Sequence, residues 1–244
     1  MQYQVNVPKL YAQVVKNFLF EEEIPVLNEW TINNWKNPYF KDAGMDENNP
    51  FSRFTTRMET FEIAKESGFI IDYPKVCYNI QDRIKNFFGL HDCPTPNSFY
   101  NGIVNGIGFS PGLIEEHIDP VYVPRTNTLH CNIITQNSFS GGVTIIEGKE
   151  FPVEEGDLLM YIVSKHNHKV TNIGGSRERI LWVFGFCIDD YKLEEIFKQG
   201  ISLRLNKSYL EKFHRKNTAK MLSGVFDEII ESSKAPLSKK HIGA

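Results

Sequence analysis

The sequence predicts a mainly β fold with flanking helices, an α+β class with one sandwich or barrel core. Three observations carry this. From about residue 98 to 188, short runs rich in β-branched and aromatic residues follow one another. Turn signals separate them at Ser110-Pro111-Gly112, Gly141-Gly142, Glu155-Gly156-Asp157 and Gly174-Gly175. Regular short strands with such punctuation are the pattern of a sandwich or barrel. On both sides, over about 14–90 and 190–232, the spacing turns helical. A chain of 244 residues, 41% hydrophobic and 23% charged, can bury such a core without staples. The order of helices, strands and helices predicts one domain over 1–244 rather than two.

Residues 13–35 read as a short strand and then a helix. Glu21-Glu22-Glu23 suits a helix N-terminus, where the macrodipole favours negative charge, and Pro25 fits within the first turn. Residues 36–56 are rich in Asn, Asp and Pro and are predicted as a loop. Residues 73–90 place Val76, Ile80, Ile84, Phe87 and Phe88 at helical spacing, with Gly89 as the stop. Eight β-rich runs follow: SFYNGIVNGIGF, LIEEHID, TLHCNIITQ, GGVTIIEG, KEFPV, DLLMYIV, HKVTNI and RILWVFGFCI. Beyond Asp189, YLEKF and MLSGVFDEII have amphipathic spacing, and the tail after Ser232 is polar.

Composition excludes some classes. A net charge of -3 argues against a dedicated nucleic-acid binder. No run of about 18 apolar residues exists, so no spanning helix is expected. The opening MQYQVNVPKLYAQ lacks a signal-peptide pattern, which predicts a cytoplasmic protein with no membrane partner. Cys77, Cys93, Cys131 and Cys187 are far apart without a CxxC pair, so reduced, mostly buried thiols are expected.

The chemistry gathers at His117-Ile118-Asp119. Residues i and i+2 of a strand share a face, so an imidazole and a carboxylate converge. His168 lies 49 residues after Asp119 on another predicted strand. Two histidines and one carboxylate on one face of a metal leave the other positions open, the ligand set of non-haem Fe(II) oxygenases. HxD alone matches by chance, and the reading rests on its context. After His168 a hairpin with Gly174-Gly175 returns through Arg177 and Arg179. A guanidinium fork grips a carboxylate in bidentate fashion.

With these residues in place, the chain resembles the Fe(II)/2-oxoglutarate-dependent oxygenases, most closely their prolyl-4-hydroxylase-like branch. The resemblance rests on SPGLIEEHIDP (110–120), FSGGVTIIEGKEFPVEEGDLLMYIVSKHNHKV (139–170) and GGSRERILWVFGF (174–186), and reaches back to VVKNFLFEEEIPVLNEW (14–30). It implies a double-stranded β-helix core of the jelly-roll or cupin-like kind. It implies His117, Asp119 and His168 as iron ligands, and a basic residue gripping the distal carboxylate of 2-oxoglutarate. Fe(II), 2-oxoglutarate and O2 are the implied cofactor and co-substrates, with succinate and CO2 released. The family's distal histidine is followed by x-Val, which Lys169-Val170 fits, so His168 is preferred to His166. His166 stays open as a substrate contact. Arg179 abuts the apolar strand and is favoured over Arg177, which has the tighter family spacing. Halogenases of the family carry a small residue where this chain has Asp119. Hydroxylation, desaturation or ring closure is therefore favoured.

Thr128, His130 and Asn132 share one face of their strand. They read either as the lining of a co-substrate or substrate pocket or as the wet side of an edge strand. Arg125, after the metal motif, could clamp a substrate carboxylate or stand exposed on its loop. The expected partner is a small molecule such as a free amino acid or natural-product intermediate, with a peptidyl proline as the alternative. The chain is expected to be a monomer or homodimer. Two further readings use the same residues. One is a non-catalytic cupin-like module. The other is a zinc hydrolase, which would want Glu115 or Glu116 as base.

Overall fold

The computed structural model describes residues 9–43, 52–56 and 72–198, with Asn48 and Glu66 as isolated positions. The chain divides into two compact units, Met1–Ser202 and Leu203–Ala244. The second unit, with the expected YLEKF and MLSGVFDEII helices, lies outside the described residues.

The first unit contains strand β1 (Ala12–Val15), helix α1 (Glu23–Asn34) and strands β2 (Phe40–Asp42) and β3 (Arg53–Thr56). Helix α2 (Lys75–Phe88) follows, then β4 (Ile103–Gly108), β5 (Ile114–His117) and β6 (Asn127–Gln136). Next come β7 (Ser140–Gly141), β8 (Thr144–Ile146), β9 (Lys149–Phe151) and β10 (Leu158–Ile162). The unit continues with β11 (His168–Val170), β12 (Ile173–Gly174), β13 (Arg179–Ile188) and helix α3 (Asp190–Lys198).

Seven strands form one sheet in the order β1-β10-β6-β13-β4-β3-β2, four form a second in the order β5-β11-β8-β9, and β7 pairs with β12. All these pairings are antiparallel. This is the expected double-stranded β-helix. Each β-rich run of the sequence became a strand or strand pair.

The loop predicted over 36–56 is corrected. It contains β2 and β3, which pair with each other, and β3 pairs onto β4. These strands are three and four residues long, too short for alternation to show. Their backbone groups are satisfied because β4 offers an edge, a tertiary cause that no local pattern carries.

The helices cover the outer face of the large sheet. Leu27 and Thr31, one turn apart on α1, are fully buried, and the Asn28 amide donates to the Thr135 carbonyl at 3.0 Å. Trp182 on β13 packs against Trp30 and Tyr73, with ring centroids 5.4 and 5.5 Å away. Helix α2 ends where expected, at Gly89 with φ 64°, and the Gly89 N–H returns to the Lys85 carbonyl. The helical spacing did not reveal Arg83, which is 2% exposed on the inner face of α2. Its guanidinium donates to both oxygens of Glu23 and, at 2.9 Å, to the Phe18 carbonyl. Glu23 also accepts from the Phe20 N–H at 2.9 Å. One buried pair thus ties the first turn of α1, the segment after β1 and the middle of α2. All four cysteines are free, and Cys77, Cys131 and Cys187 are buried. Among the described residues, no helix is long and apolar enough to cross a membrane.

Replacing Glu23 by Ala is expected to leave Arg83 as an uncompensated buried charge and to cost about 3–5 kcal/mol in chemical denaturation. A loss under 1 kcal/mol would show that the pair does not tie α1 to α2.

Candidate metal centre

The site lies between the two sheets. His117 ends β5 and His168 opens β11, and the two are direct cross-strand partners, with imidazole centroids 4.2 Å apart. Asp119 lies just beyond β5, not within it. Its position comes from its N–H, which donates to the Val163 carbonyl at 3.0 Å. His117 Nε2 is 3.6 Å from one Asp119 oxygen and His168 Nε2 is 3.8 Å from the other. One donor atom from each residue lies within 4.8 Å of the others.

The far nitrogens are fixed. His117 Nδ1 meets the Glu115 carbonyl at 2.7 Å, and His168 Nδ1 meets the His166 carbonyl at 3.1 Å. A carbonyl can only accept, so it places the ring proton on Nδ1. Each Nε2 lone pair then faces the centre, the tautomer a metal requires. Burial alone would raise the Asp119 carboxyl. The neighbouring imidazoles of His117, His130 and His168 outweigh it and hold the group at about 2. His117 is raised, chiefly by the neighbouring Asp119 carboxylate, whereas burial lowers His168. A two-nitrogen, one-carboxylate set fits a divalent metal such as Fe(II).

Beside the triad runs an apolar slot lined by Ile114, Val170, Val104, Leu181 and Val183, with Arg179 as its buried cation. Ile114 and Val170 stand on the same two strands as His117 and His168, which brings the slot near the triad, although none of the three donors lines it. Arg179 is 6% exposed, and its Nε is buried without a hydrogen-bond partner. Burial, then the like charge of Arg53, lowers its pKa to about 10, which leaves it cationic at neutral pH. A buried guanidinium in an apolar slot is costly unless an anion meets it, which is the fit a dicarboxylic co-substrate offers.

The polar face of β6 points inward. This strand is central, between β10 and β13, so the edge-strand alternative is corrected. Asn132 donates to the Tyr161 hydroxyl at 3.3 Å, while its Oδ1 is buried without a partner. His130 is 8% exposed, its Nε2 lacks a partner, and its Nδ1 is 3.9 Å from Asp119. Burial depresses its pKa to about 4. Thr128 instead donates to the Pro120 carbonyl at 3.2 Å, tying β6 to the loop after Asp119.

Other expected residues lie elsewhere. Arg177 sits in the bend before β13, is half exposed and pairs with Glu155 at 2.9 Å. His166 lies in the turn before β11, so it does not share a strand face with His168. Its Nε2 accepts the Tyr11 N–H at 3.0 Å, and its Nδ1 is 3.6 Å from Glu147. Arg125 is exposed at a turn with φ 63°. Glu115 and Glu116 are both exposed, and Glu116 is 3.9 Å from Lys169. Sequence reasoning missed two residues, Tyr161 and Arg53. Tyr161 has a ring centroid 5.2 Å from that of His168, and Arg53 lines the slot. For Tyr161 a signal existed: on DLLMYIV the alternation puts a polar hydroxyl at a position facing inward.

No protein-family model matches the chain, and no curated protein matches it. Solved structures do. A prolyl-4-hydroxylase from Pseudomonas putida superposes with a TM-score of 0.53 at 11% identity, covering 74% of this chain and 94% of that one. SnoN, a non-heme alpha ketoglutarate dependent epimerase from nogalamycin biosynthesis, gives a TM-score of 0.50 at 8% identity, covering 74% and 78%. At such identities the likeness is one of fold: the chain shares its double-stranded β-helix architecture with these two structures.

Proposed function

We propose that the chain is an Fe(II)/2-oxoglutarate-dependent dioxygenase that hydroxylates an unactivated C–H bond of a small molecule. One observation carries this reading. Two imidazoles and a carboxylate converge, each ring oriented by a backbone carbonyl, beside an apolar slot whose buried cation is Arg179. Neither a plain binding module nor a hydrolase needs that cation. A hydrolase would also want a buried general base, and Glu115 and Glu116 are exposed.

His117, Asp119 and His168 would hold Fe(II) through Nε2, a carboxylate oxygen and Nε2. When bound, the metal with 2-oxoglutarate supplies O2 activation, the co-substrate being converted to succinate and CO2. The protein's own residues do the rest. Arg179 grips the distal carboxylate and so aligns the keto acid along the slot. Leu181, Val183, Val104 and Val170 exclude water from its carbon chain. Tyr161, beside His168, and Asn132, which donates to it, offer polar atoms near the donors, and Asn132 Oδ1 is still to be satisfied. His130, neutral and with Nε2 unpartnered, is assigned as a substrate contact. Asp119 keeps a carboxylate in the ligand set, which favours hydroxylation over halogen transfer. The small-molecule assignment rests on the absence of a basic surplus in the sequence. A peptidyl proline is the alternative substrate, and four free thiols suit a reducing compartment such as the cytoplasm.

His117→Ala and Asp119→Ala are expected to lose iron affinity by roughly a hundredfold or more, since even a residue that only orients a ligand contributes 10–100-fold. Equilibrium dialysis with Fe(II) under anaerobic conditions, on protein whose circular dichroism is unchanged, checks this. Wild-type affinity in both variants would remove the metal assignment.

Anaerobic titration of the iron-loaded protein with 2-oxoglutarate is expected to give a weak visible chelate band. Arg179→Gln should weaken co-substrate binding by roughly tenfold to a hundredfold, whereas Arg177→Gln should leave it within about twofold. The reverse order would move the grip to Arg177, and no band in the wild type would defeat the oxygenase reading.

A further inference from the structure

We propose that His166 is a positioning residue of the metal centre: its imidazole, engaged by the Tyr11 backbone, pins the turn whose carbonyls set two of the three donors. The inference rests on the metal assignment above and deepens it.

The turn joins β10 to β11 and runs from Val163 to Asn167. Two of its carbonyls serve the centre. That of Val163 accepts the Asp119 N–H at 3.0 Å, and that of His166 meets His168 Nδ1 at 3.1 Å. Asp119 and His168 therefore share one support. A shift of the turn would displace the main chain of the first and release the ring of the second to rotate or change tautomer.

The turn is anchored on three sides. Toward β6, the Val163 N–H donates to the Thr128 carbonyl at 3.0 Å, and Ser164 Oγ accepts the Thr128 N–H at 2.9 Å. Toward the β8–β9 hairpin, the Asn167 N–H donates to Glu147 Oε1 at 2.7 Å, and the Glu147 N–H returns to the Asn167 carbonyl at 2.9 Å. The third anchor is the His166 side chain. The residue is 4% exposed, and its Nε2 accepts the Tyr11 N–H at 3.0 Å. A backbone N–H can only donate, so Nε2 carries the lone pair and the ring proton sits on Nδ1. Nδ1 is 3.6 Å from Glu147 Oε1, the oxygen that also receives Asn167. Both nitrogens of His166 thus face Tyr11 and Glu147, and its influence reaches the metal through His168.

Tyr11 is itself fixed. It directly precedes β1, and its carbonyl accepts the Ile162 N–H at 3.2 Å. Its hydroxyl donates to Glu194 on α3 at 2.6 Å, and its ring lies 5.9 Å from that of His166 and 5.7 Å from that of Phe197. The segment before β1 and the helix after β13 therefore meet the centre through one imidazole. Packing alone does not call for a histidine at this place. An apolar ring would fill the same space, but it would leave the Tyr11 N–H without its acceptor and the turn without its third anchor.

The test uses the full chain under anaerobic conditions, with Fe(II) affinity from equilibrium dialysis. Proton–nitrogen ring correlation spectra of the metal-free protein report the His168 tautomer. His166→Phe, which keeps a ring and removes the acceptor, is expected to weaken Fe(II) binding by roughly tenfold or more and to mix the His168 tautomers. His166→Gln, whose amide oxygen can replace Nε2 as acceptor, should stay within about threefold of the wild type and keep the Nδ1–H tautomer. Glu23→Gln, which loosens the helix pair instead, should lower the thermal midpoint and leave both readouts unchanged. If His166→Phe does not fold, Tyr11→Pro removes the donor instead, with Tyr11→Ala as its control, and only the proline variant should lose affinity. The proposal is overturned if the acceptor-deleting variant binds Fe(II) as the wild type does or keeps the His168 tautomer. It is overturned equally if His166→Gln loses as much as His166→Phe, or if Glu23→Gln does, since the effect would then be one of general stability. Failure of the wild type to bind Fe(II) defeats the metal assignment and this proposal together, whereas normal binding by the wild type and all variants defeats this proposal alone.

Discussion

The pairing of β5 with β11 is the constraint on which the centre depends. It sets His117 opposite His168 in register. A slip of one residue would turn one imidazole to the far side of its strand. Neighbouring backbone then supplies the details. The Val163 carbonyl captures Asp119, and the Glu115 and His166 carbonyls fix the ring tautomers. The triad is therefore oriented by main chain, which leaves its side-chain donor atoms available.

The inner face of the large sheet buries the polar and charged groups of the site. Outward, β13 and β6 present Trp182, Phe184, Cys131 and Ile133 to the helices. Inward, they bury Arg179, Asn132 and His130, several of whose atoms lack partners within the protein. An apolar core would be more stable. Arg179, Asn132 and His130 gather their unpartnered atoms on one face, with aromatic and aliphatic side chains packed behind it, which separates the half of the sheet that maintains the fold from the half that meets ligands.

Much of this was legible in the sequence because strand alternation and glycine punctuation are local. All eight β-rich runs were readable, and so were α1, α2 and the stop at Gly89. The unreadable parts share a cause. The parity argument assumed that Asp119 lay within a strand, but β5 ends at His117, β11 opens only at His168, and the bend before β13 holds Arg177. Where a strand ends that soon, tertiary hydrogen bonds decide where a side chain points. Arg53 was missed for a related reason. Its strand exists only because β4 offers a free edge, so its polar neighbourhood resembled a loop. Arg83 was hidden because its partner, Glu23, is 60 residues away.

The position of β13 sets an order for assembly. It is the last strand of the core in sequence, yet it lies in the middle of the large sheet, between β4 and β6. A chain emerging from the ribosome cannot close that sheet until residue 188 is free. Until then, β4 and β6 each present an unpaired backbone edge, and the apolar faces destined for Trp182 and Phe184 remain uncovered. The nascent chain is thus most exposed to misassociation just before the core is complete. A truncation that removes β13 would leave two half-sheets rather than a smaller version of the fold.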